Sequence, residues 1–218
     1  MSSQWSNKDN AVFYEQNIQT LQQWATQGGL ARCPDVIAIK AYIEKANSIL
    51  EIGPGFGRVI RYLLEHYPHK TLTAVEQSQQ FCDSLKQNYP QITLFHSDIA
   101  TFTTTKRYDL IIWLWSGLTD FSQTEQLPIL RHVSQFLSPA GTLIIETFPH
   151  NLTPANGSTT DTQTYSLTAN NSNLRGYIPS PEEIQYYASK IPLNYNNYIT
   201  YTTDSGRERK LYLLEKNS

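Results

Sequence analysis

Three carboxylates placed at the ends of apolar runs have the residue types and spacing to hold a ligand: Glu51, Glu76 and Asp98. Glu51 lies in Ile49-Leu50-Glu51-Ile52 and leads into Gly53-Pro54-Gly55-Phe56-Gly57-Arg58. Glycines at alternate positions let the chain turn sharply and admit a ligand where a Cβ would block it. A helix starting directly behind them points its free amides at the same space. The spacing also discriminates between ligands. A dinucleotide site uses G-x-G-x-x-G, whose third glycine allows close packing over a pyrophosphate. Here the third glycine comes one residue early, at Gly57, and the bulky Arg58 follows it. Glu51 would repel a pyrophosphate, so the loop suits a ligand that carries positive charge. Glu76 closes Leu72-Thr73-Ala74-Val75-Glu76, a position from which one carboxylate can accept both hydroxyls of a ribose.

These residues need a scaffold that brings strand ends together. Residues 9–26 suit an amphipathic helix with Tyr14, Ile18, Leu21 and Ala25 on one face. A turn at Gly28-Gly29 follows, and Pro34 opens a second helix expected to run through Lys45. Five strands are predicted at 48–52, 72–76, 92–96, 108–115 and 142–147, with helices to about His66, from Ser78 to Asn88 and over 122–137. Pro128 predicts that the regular part of the last helix starts some residues after Ser122. Strands alternating with helices at this spacing predict a doubly wound parallel sheet. Residues 148–178, rich in Asn and Thr, break the rhythm and read as a loop or hairpin over the sheet. A helix at Pro181–Lys190 and an antiparallel hairpin, 195–203 with 209–214 around Asp204-Ser205-Gly206, complete the chain.

Glu51-Ile52-Gly53-Pro54-Gly55-Phe56-Gly57 resembles the first motif of the class I S-adenosylmethionine (SAM)-dependent methyltransferases of the small-molecule type, an acidic residue followed by G-x-G-x-G. The resemblance covers roughly residues 34–216. It implies an α/β fold with a doubly wound, Rossmann-like mixed sheet of about seven strands, helices on both faces and an antiparallel hairpin at the C-terminal end. Residues 1–46 are then an N-terminal helical cap, and 47–218 the SAM-binding domain with a lid-like insertion at about 148–178.

The same resemblance assigns roles. SAM carries a sulfonium and an ammonium and no phosphate, which agrees with the acidic loop. Glu51 is expected on its methionine end, with Gly53, Pro54, Gly55 and Gly57 shaping the loop beneath. Glu76 takes the ribose, Gln77 packs under the adenine, Asp98 takes the adenine amino group, and Ile99 offers its amide and side chain to the base. Leu114 offers a backbone carbonyl to the cofactor ammonium. Trp115, on the same strand face as Trp113, is a candidate wall of the acceptor pocket. Tyr14, in an aromatic-rich first helix, would touch the methionine carboxylate or the acceptor. Tyr165 and Arg175, with Tyr177, are candidates to line the acceptor pocket or its lid.

Methyl transfer is an in-line displacement in which the protein aligns the acceptor and keeps the site dry. An alcohol or phenol acceptor would call for a general base or a metal. No clear base stands out; His150, just past the fifth strand, and Tyr14 are the candidates for a catalytic role. Asp120 alone is too little for a metal site, and none is expected. The Asn/Asp-Pro-Pro-aromatic motif of amino-methyltransferases acting on nucleic acids and proteins is replaced by Leu114-Trp115-Ser116-Gly117. With a net charge of −2, this argues against DNA and less firmly against RNA, and leaves a small-molecule substrate. No apolar run reaches the roughly 18 residues of a membrane span. The N-terminus lacks an apolar signal core, so a cytoplasmic location is expected. Cys33 and Cys82 are expected as free thiols. Two rival readings remain: a non-catalytic SAM-binding scaffold, and a nicotinamide-dependent oxidoreductase.

Overall fold

In the computed structural model, which describes Trp5 and residues 7–148, 157–159 and 163–216, the predicted strands line up in one sheet. β1 (Ser48–Ile52), β2 (Thr71–Glu76), β3 (Thr93–His96) and β4 (Tyr108–Trp113) are parallel, as is β5 (Leu137–Thr147) to β4. The C-terminal hairpin, β9 (Leu193–Thr202) and β10 (Glu208–Lys216), adds antiparallel to β5. The order across the seven strands is β3-β2-β1-β4-β5-β10-β9. Chain direction across the sheet therefore reverses between β1 and β4, and the carboxyl ends of those two strands flank the crevice where such sheets bind ligands.

Alternation along the strands explains why both faces are covered. Leu50, Ile52, Ile111, Trp113, Leu143, Ile145 and Tyr212 form one buried cluster with α7 (Gln123–Ser134) and α8 (Pro181–Ser189). Ile49, Leu110, Ile112, Ile144 and Leu213 form the other, against α3 (Pro34–Ala38), α4 (Lys40–Lys45) and α5 (Arg58–His66). α6 (Gln79–Asn88) joins β2 to β3, and Ser78 caps it by accepting the amide of Phe81 at 3.3 Å.

Several boundaries differ from expectation. The long first helix is two, α1 (Asn7–Gln16) and α2 (Ile18–Gln27), broken at the buried Asn17. Its amide donates to the Phe13 carbonyl and to Ser172 Oγ, both at 2.8 Å, so a side chain takes over bonds that a continuous helix would make with its backbone. The second helix likewise divides at Ile39 into α3 and α4. α7 begins at Gln123 despite Pro128, because Ser122 and Glu125 form a reciprocal capping box. β4 ends at Trp113, two residues before the expected end: Trp115 and Ser116 adopt left-handed φ values of 53° and 65° that no strand can contain.

The segment read as a loop or hairpin is a second, three-stranded antiparallel sheet: β6 (Gly157–Thr159), β7 (Thr164–Ala169) and β8 (Ser172–Tyr177). Asn170 and Asn171, both at positive φ, make the two-residue turn between β7 and β8. This sheet packs on the N-terminal helices. Phe13 and Leu21 share a buried cluster with Tyr165, Leu167 and Leu174. Asn10 stitches the two parts together, exchanging hydrogen bonds of 2.8 and 3.0 Å with the backbone of Arg175. Among the described residues no helix is long and apolar enough to cross a membrane.

Candidate active site

Beyond the carboxyl ends of β1, β2 and β4 lies a cavity of about 660 Å³. The glycine loop forms its floor. Gly53 and Gly55 have positive φ, and a Cβ placed on Gly53 would meet no atom within 4 Å, so it would project into open space. Gly57 serves a different purpose. A Cβ there would come within 2.6 Å of the Tyr89 ring and 2.8 Å of Leu85, so this glycine allows α5 to start against α6 and is off the cavity wall.

Glu76 ends β2 against this floor and is buried. Its carboxylate holds the loop in place, accepting the Gly55 amide at 3.0 Å and the Ser78 amide at 2.8 Å. Burial raises its pKa, against the pull of those amides. Glu51 is also buried on the wall, and its Oε2 finds no hydrogen-bond partner among the described residues. Burial lifts its pKa to about 8, with smaller pushes from Asp35 and Glu76 and against the pull of Arg58. An unpartnered buried carboxyl beside an open glycine floor fits a ligand that brings donors and positive charge.

Gln77, Ile99 and Leu114 line the cavity as expected. Asp98 is off the wall: its Oδ1 accepts the amide of Ala100 at 2.9 Å, in a turn after β3, while Ser97 and Ile99 on either side face the cavity. Trp115 lines the cavity and packs edge-on to Phe56, with ring centroids 6.2 Å apart. Tyr14 and Tyr165 are both on the wall, and the buried Tyr165 hydroxyl pairs with Thr119 Oγ1 at 2.8 Å. Arg175 is not on the wall. It is exposed on β8, where alternation turns it to the side away from Leu174. Tyr177 is also off it and donates to Glu183 at 2.6 Å. His150 lies outside the described residues.

Three features of the site go beyond the expected residues. Tyr14 donates a short hydrogen bond to Asp120, a buried carboxylate in the turn after β4. Arg58 is buried and grips Asp35 through two nitrogens, at 2.8 and 2.6 Å, and the Leu30 carbonyl at 3.1 Å. It thereby ties α3 to the end of the glycine loop. Behind Trp115, Glu146 on β5 accepts from Arg209 Nε, from the Trp115 amide and, at 2.5 Å, from the Tyr201 hydroxyl. Arg209 also donates to Ser116 Oγ at 2.7 Å and stacks on Phe148. An arginine in the first turn of a helix runs against the macrodipole, which is a sequence signal that Arg58 has a specific partner. Asp120 and Glu146 carry no comparable local signal.

Sheet order, glycine floor and the buried carboxylates at the ends of β1 and β2 define the class I SAM-binding methyltransferase fold, whose cofactor is SAM. Residues 49–141 match the family model described as a methyltransferase domain. The chain is similar to ribosomal RNA small subunit methyltransferase A of Prosthecochloris aestuarii, 38% identical over 63 residues, covering 29% of this chain and 23% of that protein. It is also similar to the dTDP-3-amino-3,6-dideoxy-alpha-D-glucopyranose N,N-dimethyltransferase of Streptomyces fradiae, 24% identical over 119 residues, or 53% of this chain and 46% of the other. It spans less than half the length of both. Its fold is similar to that of the Burkholderia thailandensis 1,6-didemethyltoxoflavin-N1-methyltransferase, with a TM-score of 0.72 at 14% identity over 100% of this chain and 93% of that one.

The raised pKa of Glu51 has a measurable consequence. Near neutrality the free protein holds a proton on this group, and a cationic ligand beside it favours the ionised form, so binding expels the proton. SAM affinity is expected to rise from pH 6 to pH 8, by on the order of tenfold or more, as Glu51 becomes ionised beforehand. Calorimetry across that range, in two buffers of different ionisation enthalpy, should report proton release, and Glu51→Gln should flatten the profile. An unchanged slope in that variant would remove Glu51 from the cofactor site.

Proposed function

We propose that the chain transfers the methyl group of SAM to a nitrogen or oxygen atom of a small-molecule acceptor. The observation that carries this reading is one continuous cavity. It runs from Glu76 and the glycine floor to a second wall made by Tyr14, Tyr165, Trp115 and Asp120. In this reading the first part holds the cofactor. Glu76 accepts the ribose hydroxyls, with Gln77, Ile99 and the turn of Asp98 around the adenine. Glu51 and the carbonyl of Leu114 receive the methionine end. SAM supplies an activated methyl carbon, so the residues around it need to align the acceptor and exclude water.

Whereas α3 and α4, within the expected cap of residues 1–46, pack on the main sheet, helices α1 and α2 and the second sheet act together as a cap. Their shared apolar cluster and the Asn10 stitch support this, because the cap side chains Tyr14 and Tyr165 complete the acceptor wall. A cavity of about 660 Å³ is of a size for a small molecule beside the cofactor, and the net charge of −2 gives no general attraction for nucleic acid.

Calorimetry with SAM and with NAD, followed by a radiolabelled-methyl screen over amines, phenols, carboxylic acids and RNA, tests the proposal. Binding of SAM but not NAD, and turnover on a small acceptor, is the expected result. NAD binding in place of SAM would point to the oxidoreductase, and SAM binding with no turnover on any acceptor to a non-catalytic scaffold.

A further inference from the structure

Besides the exposed Glu208, the cavity wall has one buried carboxylate, Asp120, that the cofactor half does not use. Asp120 is 8% exposed, and Tyr14 is the one side chain among the described residues that hydrogen-bonds its carboxylate. Its main chain is fixed as well, since the Asp120 carbonyl accepts from Asn10 Nδ2 at 3.0 Å. Asp120 lines the cavity, and among the described residues its second carboxylate oxygen has no hydrogen-bond donor. Two of the cavity arginines are engaged elsewhere, Arg58 by Asp35 and Arg209 by Glu146 and Ser116, and the third, Arg207, is exposed and makes no hydrogen bond to Asp120 among the described residues. The aromatic side chains Tyr14, Trp115, Phe121 and Tyr165 line the same cavity. An aromatic face turned to a bound cation attracts it.

We propose that the methyl acceptor is an amine, which docks as its ammonium on the carboxylate of Asp120. This rests on the methyltransferase reading above and names its substrate class. Transfer needs the neutral amine. One ammonium proton passes to Asp120, the freed nitrogen pair attacks the methyl carbon, and the carbon–sulfur bond breaks with its electrons going to sulfur. The products are S-adenosylhomocysteine (SAH) and the methylated ammonium, and Asp120 returns its proton to solvent. Burial, opposed by the Tyr14 hydrogen bond, places the Asp120 carboxyl at about 7, so it can hold that proton briefly. A base of that strength leaves an alcohol protonated, since an alcohol is about as weak an acid as water, whose pKa is about 15.7. Tyr14 from α1 bears on this proton directly; Tyr165 from β7 interacts with the Asp120 carboxylate, and Glu76 from β2 and Arg209 from β10 act on those two tyrosines.

The test uses the full chain loaded with SAH. Arylalkyl and cycloalkyl primary amines are titrated against their hydroxyl isosteres, with the rise in melting temperature and calorimetric affinity as readouts. Amines are expected to bind at least tenfold more tightly than the matched alcohols, because a buried charged hydrogen bond is gained. Asp120→Asn should abolish that preference and leave SAH affinity within about threefold. Tyr14→Phe, which keeps the carboxylate, should retain it. Equal binding of amines and alcohols by the native protein overturns the proposal, as does a preference that survives Asp120→Asn. A tenfold loss of SAH affinity in that variant would assign Asp120 to the cofactor and also overturn it. If native protein fails to bind SAH at all, the methyltransferase reading itself is at fault, a distinct result.

Discussion

Replacing Glu146 by alanine should cost about 3–5 kcal/mol of stability, because it leaves the buried guanidinium of Arg209 without its counter-charge. For a chain of this size that is a drop in melting temperature of roughly 10 °C. The change reaches further than one ion pair. Glu146 also accepts from the Trp115 amide, and Arg209 from the other side holds Ser116. Trp115 and Ser116 are left-handed without being glycine, a conformation that costs roughly 1–2 kcal/mol per residue and persists only where neighbours impose it. Without Glu146 those two residues should relax, displacing the Leu114 carbonyl and the Trp115 ring. Affinity for SAH should then fall together with stability. The double variant Glu146→Leu with Arg209→Met removes both charges and should recover most of the stability but not the affinity, since nothing then holds the turn. Recovery of both would show that the pair is a packing element with no part in shaping the site.

Glu76→Gln should weaken SAM binding by at least a hundredfold with little change in volume. On the proposed reading two charge-assisted hydrogen bonds to the ribose are lost, each worth about 1.5–3 kcal/mol. The floor is disturbed as well. The native carboxylate accepts from the amides of Gly55 and Ser78 with its two oxygens, whereas a glutamine has one oxygen and must turn a donor toward one of those amides. Glu76→Asp, which keeps two acceptors on a shorter stem, should fall between native and Gln. Isothermal titration with SAM measures all three. Affinity within threefold of native for Glu76→Gln would mean that the ribose is held elsewhere.

The cofactor half was largely legible in the sequence because its signals are local. Gly53, Gly55 and Gly57 stand beside the strand they end, and Glu76 closes an unbroken apolar run. The strand–helix alternation from 48 to 147 leaves few topologies that keep connections short and right-handed. The other half was less legible, since its pairings are long-range. Asp120 is an ordinary turn residue until α1 brings Tyr14 to it from 106 positions away. The Glu146–Arg209 pair is invisible until β10 lies against β5. The second sheet was masked by composition: Tyr165-Ser166-Leu167-Thr168 does alternate, and Asn170-Asn171 is a hairpin turn, but the Asn and Thr around them read as a loop. Gly57 was attributed to the ligand loop from its spacing alone. Only the approach of Tyr89 and Leu85 shows what it makes room for.

The Asn10 stitch also bears on the order in which the molecule assembles. It joins residues 165 positions apart, so the entropy of closing that loop must be met before the contact returns any stability. The parallel strands around β1 and β4 are linked by much shorter connections and can form without it. By contact order the floor is expected to form before the proposed acceptor wall, which needs the second sheet to meet the first helix, so the selectivity of the proposed site is expected to be acquired late in folding.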